Sequence, residues 1–306
     1  MSVSRTAGLF VLLSFFWGTA FVAISAGLAY IPPVLFAGLR YDLAGIIVLA
    51  YALTATEGWR PHSRADWLTV AVGAVLVIAL YNAFLFIGQQ EVTSGVAAII
   101  IATNPILAAG FSRLLLPQER LTPLGTVGLL AGFVGVGLVV APTPSNLLAS
   151  ELVASGFVLL AAVSVALGSV LMQRIDSDIS TEGTVAWACV FGALGLHLLS
   201  FGLPGESLGQ ADLTVEALVA VVYLSVFASA IGYFIYFDLL GRVGAIEINL
   251  VSYAAPLFAT LFGWLLLNET ITLQTVVGFL VIAFGFLLLK REALRTQFEL
   301  VRSWTG

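Results

Sequence analysis

Apolar residues run along this chain in ten long blocks separated by short polar breaks. Within the blocks there is neither the alternation of a half-buried strand nor the single apolar stripe of a soluble helix. Each is close to the roughly 20 apolar residues that carry a helix across a hydrocarbon core about 30 Å thick. The predicted spans are 7–29, 34–54, 67–87, 92–116, 122–141, 152–172, 184–203, 213–239, 244–267 and 273–289. Turn formers occupy the breaks: Pro32-Pro33, Gly58 with Pro61, Pro142 with Pro144, and Pro204-Gly205. The expected fold is an all-α integral membrane protein with ten transmembrane helices and no soluble domain. The first block follows Arg5 as a secretory leader would, but it is longer than a typical signal core and nine similar blocks follow it. It is read as the first spanning helix.

Composition agrees with this reading. The chain is 60% hydrophobic and 9% charged, against roughly 45–50% apolar and 25% charged in soluble domains. Cys189, the single cysteine, lies inside the seventh block, which excludes a disulfide framework and a cysteine-based metal site. The phosphate-binding pattern G-x-x-x-x-G-K-[ST] is absent, so a nucleotide-driven pump is not expected. A membrane-embedded enzyme would need a cluster of His, Asp and Glu or a zinc-protease helix, and neither is present. No cofactor, metal or nucleic acid is expected. The net charge of −5 resides in loops and ends and says little about the partner.

Charge sets the orientation. With a cytoplasmic N-terminus, Arg5, Arg60, Arg64, Arg113, Arg120, Arg174, Arg242, Lys290, Arg291, Arg295 and Arg302 all fall on the cytoplasmic side, and the opposite loops carry no lysine or arginine. This is the positive-inside asymmetry of a plasma-membrane protein with both termini in the cytoplasm.

The blocks also repeat. At an offset of 150, Glu119, Thr122, Val127, Gly128, Leu130, Gly135 and Leu138 coincide with Glu269, Thr272, Val277, Gly278, Leu280, Gly285 and Leu288. Phe10–Leu13 recurs as Phe157–Leu160, and Pro105 has its counterpart in Pro256. The expected organisation is one five-helix unit over 1–143, a second over 151–291, and a cytoplasmic tail over 292–306. An odd number of crossings per unit turns the second copy upside down. Inverted units of this kind place a solute site near the midplane and exchange its exposure between the two sides.

Together with Trp17-Gly18, Pro33 followed by Arg40, and the turns beginning at Glu119 and Glu269, these features resemble the EamA-type transporters of the drug/metabolite transporter superfamily over essentially the whole chain. The resemblance implies a secondary transporter exporting small metabolites, amino acids or related compounds, by alternating access. It further implies a central cavity lined by helices one to four and six to nine. The alternative on the same fold is an exchanger of phosphorylated solutes or nucleotide sugars. A dianionic phosphate favours several basic side chains, whereas Arg40 is the one basic residue well inside the membrane. Asp42 departs from the family pattern, which favours an apolar residue there.

A charge within the bilayer costs about 2.5 kcal/mol or more, so intramembrane ionisable groups face a cavity or a partner. Arg40 is therefore the leading candidate for substrate binding or gating, with bracing of neighbouring helices as the structural alternative. Asp42 is a candidate for proton coupling or for a bond to another helix. Two positions along a helix separate it from the face of Arg40. Tyr81, Asn82, Asn104, Asn249, Ser252 and Tyr253 form a sparse polar set, the last four beside Pro105 and Pro256, where a freed carbonyl marks a hinge or cavity wall. Trp17 is too deep for an interfacial belt and serves as a candidate aromatic wall, with Tyr233 and Tyr236 in its support. His197 reads as a hydrogen-bonded packing residue. Thr122 and Thr272 are positioned to cap the helices that follow them, and the carboxylates of Glu119 and Glu269 complement the positive ends of those helix dipoles. Asp238 and Glu247 lie near Arg242 at the cytoplasmic edge. Gly128 and Gly132 make a close-approach step that serves packing within the monomer or a homodimer.

Overall fold

A computed structural model describes residues 3–115, 123–140, 150–243, 248, 250–289 and 291. Among these, regular structure is helical throughout: α1 (Val3–Leu28), α2 (Pro33–Ala55), α3 (Arg64–Gly88), α4 (Ser94–Leu115), α5 (Pro123–Val140), α6 (Ser150–Arg174), α7 (Thr181–Gly202), α8 (Val215–Arg242), α9 (Val251–Leu267) and α10 (Leu273–Leu289). Seven of them are long and apolar enough to cross a membrane, and α5, α9 and α10 contain shorter apolar helices, Leu124–Val140, Val251–Leu267 and Leu273–Leu288.

Local chemistry explains the ends. Ser63 and Asp66 form a reciprocal capping box at the start of α3. Thr214 caps α8 by accepting from Ala217 N at 3.2 Å, and Thr272 caps α10 by accepting from Thr275 N at 3.1 Å. Pro123 opens α5, where its missing N–H is no loss; Glu119 and Thr122 lie outside the described residues. Asn268 turns the chain out of α9 in the left-handed conformation.

Two irregularities repeat. Residues Gly73–Leu80 of α3 and Tyr223–Ile231 of α8 are π-helical, at the same offset of 150 that relates the two halves of the sequence. The helix α4 breaks at Ala102–Thr103, just ahead of Pro105, and a turn at Leu250 precedes α9 with its internal Pro256.

Helix pairing follows the repeat. The helix α2 packs along α7 and α5 along α10, and each pair joins counterparts from the two halves. Contacts between α5 and α10 run antiparallel: Gly128 meets Gly285, whereas Gly135 meets Gly278. Glycine is required there, because a Cβ on Gly135 would lie 2.8 Å from the carbonyl oxygen of Gly278. The Gly128–Gly132 step thus faces α10 of its own chain. Further pairings include α1 with α9, α4 with α6, α3 with α6 and α7, and α8 with α1 and α2.

Candidate functional site

The polar centre lies where α2, α3 and α8 meet. Arg40 is 8% exposed. Its Nε donates to Ser229 Oγ at 3.0 Å, and one terminal nitrogen reaches Asn82 Oδ1 at 3.5 Å. Asn82 is held by its own amide, which donates to Ile78 O at 2.7 Å. Ser225, one turn before Ser229, donates to the carbonyl of Arg40 at 2.9 Å. Tyr81, next to Asn82 in α3, is half-buried. Among the described residues no carboxylate comes within ion-pairing distance of Arg40. A buried cation with donors to spare, between helices of both halves, is equipped to receive an anionic group.

The π-helical segments complete this centre. A π turn leaves carbonyls without their usual helical donor. Trp17 Nε1 donates to Ala228 O in α8 at 3.2 Å, and Ser164 Oγ donates to Leu76 O in α3 at 2.7 Å. Trp17 and Ser164 are themselves counterparts, at the offset that relates Phe10–Leu13 to Phe157–Leu160. The indole of Trp17 also stacks on Tyr236 at a centroid distance of 5.8 Å. Gly18 lets α1 approach the carbonyl of Ala255, next to Pro256.

The remaining candidates are dispersed. Asn104 opens the second segment of α4, and its Oδ1 is buried without a hydrogen-bond partner among the described residues. Tyr253 packs on Phe286 of α10 at 4.6 Å, and its hydroxyl likewise has no such partner. Ser252 is half-buried in the first turn of α9, and Asn249 and Glu247 lie outside the described residues. Asp42 faces away from Arg40 and meets His197 of α7 at 2.8 Å. Asp238 pairs with Arg242 at 2.6 Å along α8.

Two carboxylates form seams at one end of the bundle. Glu206 accepts from Val34 N at 3.0 Å and Leu35 N at 2.8 Å, capping α2, where Pro32 has no side chain able to do so. Glu269 accepts from Ser94 N at the start of α4 and from Ser94 Oγ at 2.8 Å. Glu269, expected to complement the dipole of α10, is bonded instead to the start of α4: the left-handed turn at Asn268 folds its side chain over Gly263, where a Cβ would leave no room for it. Ser25 of α1 and Gln89 join this seam through Ser25 Oγ, at 3.1 Å from Ser94 Oγ and 2.8 Å from Gln89 Nε2. At the other end Asp66 accepts from Ser177 Oγ at 2.8 Å and Asp178 N at 3.1 Å, while Ser180 N donates to Gly58 O at 3.0 Å.

Sequence reasoning did not single out Ser225, Ser229, Ser94 or Glu206. The spacing of Ser225 and Ser229, one turn apart in an apolar helix, is the signal that marks the first two. Nothing local marks Glu206.

Comparison with known proteins accords with this architecture. The EamA-like transporter family model matches twice, over residues 5–141 and 152–291. The uncharacterized transporter YvbV of Bacillus subtilis (strain 168) is 30% identical over 292 residues, 95% of this chain and 93% of its own length. The WAT1-related protein At3g02690, chloroplastic, of Arabidopsis thaliana is 30% identical over 271 residues, 86% of this chain and 64% of its length. A solved crystal structure at 22% identity superposes with a TM-score of 0.65 over 96% of this chain and 99% of the other, which extends the likeness to the fold. With the family model covering both halves of the sequence, the chain belongs to the EamA-like transporter family of the drug/metabolite transporter superfamily.

Proposed function

We propose that this protein is a secondary transporter that exports small metabolites, amino acids or related compounds, across the plasma membrane by alternating access. In this reading ten helices cross the bilayer as two inverted five-helix units, both termini are cytoplasmic, and the solute site lies around Arg40. The observation that carries it is the buried guanidinium of Arg40, bonded to Ser229 and Asn82 and lacking a carboxylate partner among the described residues. A solute carboxylate supplies the missing anion, and the planar fork of arginine holds it by two parallel bonds.

The mechanism follows from the two ends. Glu206 and Glu269 tie loops of the second half to helix starts in the first half, and the Asp66 seam ties the two halves at the opposite end. Opening one set of seams while the other stays closed exposes Arg40 to one side at a time. Antiparallel contact between the counterparts α5 and α10 supports the inverted arrangement. The break ahead of Pro105 and the π-helical segments supply points where helices can bend.

The test is export itself. Cells overproducing the protein are challenged with amino acids and toxic analogues, and tolerance is measured together with intracellular retention. Tolerance with lowered retention of a carboxylate-bearing solute is expected. Tolerance without lowered retention would argue against export.

A further inference from the structure

Asp42 and His197 carry ionisable groups to an unusual place. They meet across the seam of α2 and α7, Oδ2 to Nε2 at 2.8 Å, and both turn to the outer surface of the bundle, with side chains 47% and 35% exposed. Their depth is set by α7. Near its start Trp187 donates to Trp59 O and lies against Trp59 and Trp67, a cluster suited to the membrane interface. His197 is ten residues further on, roughly 15 Å along the axis. One turn beyond it Phe201 is 93% exposed. Ile46, one turn after Asp42 on α2, and Leu194 and Leu198, to either side of His197 on α7, are exposed as well. The pair therefore lies within the hydrocarbon and faces outward.

Acyl chains offer no donor or acceptor to such a group, and ionisable residues at this depth turn to protein or a wet cavity. The contact with His197 satisfies one carboxylate oxygen. Among the described residues no donor reaches the other oxygen of Asp42.

We infer that the face of α2 and α7 around Asp42 and His197 is the contact surface between two copies of this chain. The face presents an acid beside a base, so it complements itself. A two-fold axis passing between two such faces brings Asp42 of one copy to His197 of the other, the geometry of an isologous interface. Four groups then close a polar ring from which lipid is excluded, and Ile46, Leu194 and Leu198 pack around it. A single polar contact among apolar side chains also fixes the register of the pairing. The Gly128–Gly132 step is unavailable for this purpose, because α10 of the same chain covers it.

Cross-linking in native membranes tests the interface. In a Cys189→Ser background, Ile46→Cys is expected to give a disulfide-linked dimer on oxidation, whereas Leu130→Cys, exposed on α5, is expected to give none. Replacing both polar groups, Asp42→Leu with His197→Phe, is expected to lower the Ile46→Cys yield at least about tenfold at equal membrane abundance. If that double variant fails to accumulate, Asp42→Asn takes its place, with a reduced yield expected and an unchanged yield overturning the inference. Absence of a dimer at Ile46→Cys, an undiminished yield in the double variant, or capture of a different protein would each overturn it.

Discussion

The carboxylate of Glu269 rests on the start of α4, its two oxygens 2.9 and 3.0 Å from the amide nitrogen of Ser94. Residues 175 positions apart are thereby joined by a charged hydrogen bond at the positive end of a helix. The bond links α4 to the turn between α9 and α10. Through Ser94 Oγ it also reaches Ser25 of α1. Three helices that would border a central chamber are tied at one end by this one side chain.

Releasing that tie is expected to shift the resting balance toward opening at this end. A hydrogen bond to a charged group contributes about 1.5–3 kcal/mol, which corresponds to roughly a tenfold or greater change in an opening equilibrium. In a Cys189→Ser background carrying Ser25→Cys, the substitution Glu269→Gln should raise the labelling rate by an impermeant maleimide in intact cells by about that factor. An unchanged rate would show that the seam does not gate access.

Arg40 is predicted to be indispensable for export. Its guanidinium is a buried cation at the meeting of α2, α3 and α8, and alanine would take the donor from Ser229 Oγ and Asn82 Oδ1 and remove the anion site. Efflux by Arg40→Ala should fall at least about tenfold, measured as solute retention at matched membrane abundance. Arg40→Lys keeps the charge but loses the fork, and should retain only part of the activity. Normal efflux by well-inserted Arg40→Ala would remove this residue from the site.

Much of this architecture is written in periodicity. The offset of 150 that aligns Glu119 with Glu269 also relates the two π-helical segments, and Pro105 marks the break in α4. The separation of Arg40 from Asp42 follows from helix geometry alone. The partners do not. Glu206 lies 172 residues from Val34 and His197 lies 155 from Asp42, distances at which a single sequence carries no pairing signal. The π turns are hidden for another reason. Their segments lack proline, and the donors that satisfy their carbonyls, Trp17 and Ser164, come from helices in the other half of the chain.

The contact of α5 with α10 should tolerate no added bulk. A Cβ on Gly278 would lie 2.5 Å from Val139 Cγ2 and 2.8 Å from the carbonyl oxygen of Gly135. Backbone cannot yield as a side chain can, so Gly278→Ala is expected to destabilise the protein by about 1–3 kcal/mol. Its thermal midpoint in detergent should drop. Gly137→Ala, on the same α5 but with nothing within 4 Å of its Cβ position, provides the control and should leave the midpoint unchanged or slightly raised. Equal losses from both would assign the effect to helix chemistry instead of this contact.

The inverted arrangement depends on whether α5 crosses the membrane. With 18 residues it spans about 27 Å, just short of the hydrocarbon thickness, and it is shorter than the four helices before it. Glu57, after α2, and Gly209, after α7, are exposed sites separated by α3 to α7. Five crossings put them on opposite sides; four would put them on the same side. In a Cys189→Ser background, Gly209→Cys should react with an impermeant maleimide in intact cells, and Glu57→Cys only after permeabilisation. The second expectation also follows from the arginines at 60 and 64, since exporting that loop would oppose the positive-inside bias. Labelling of both sites in intact cells, or of neither, would mean that α5 fails to cross. The two halves would then share one polarity, and the exchange of access around Arg40 would lose its structural basis.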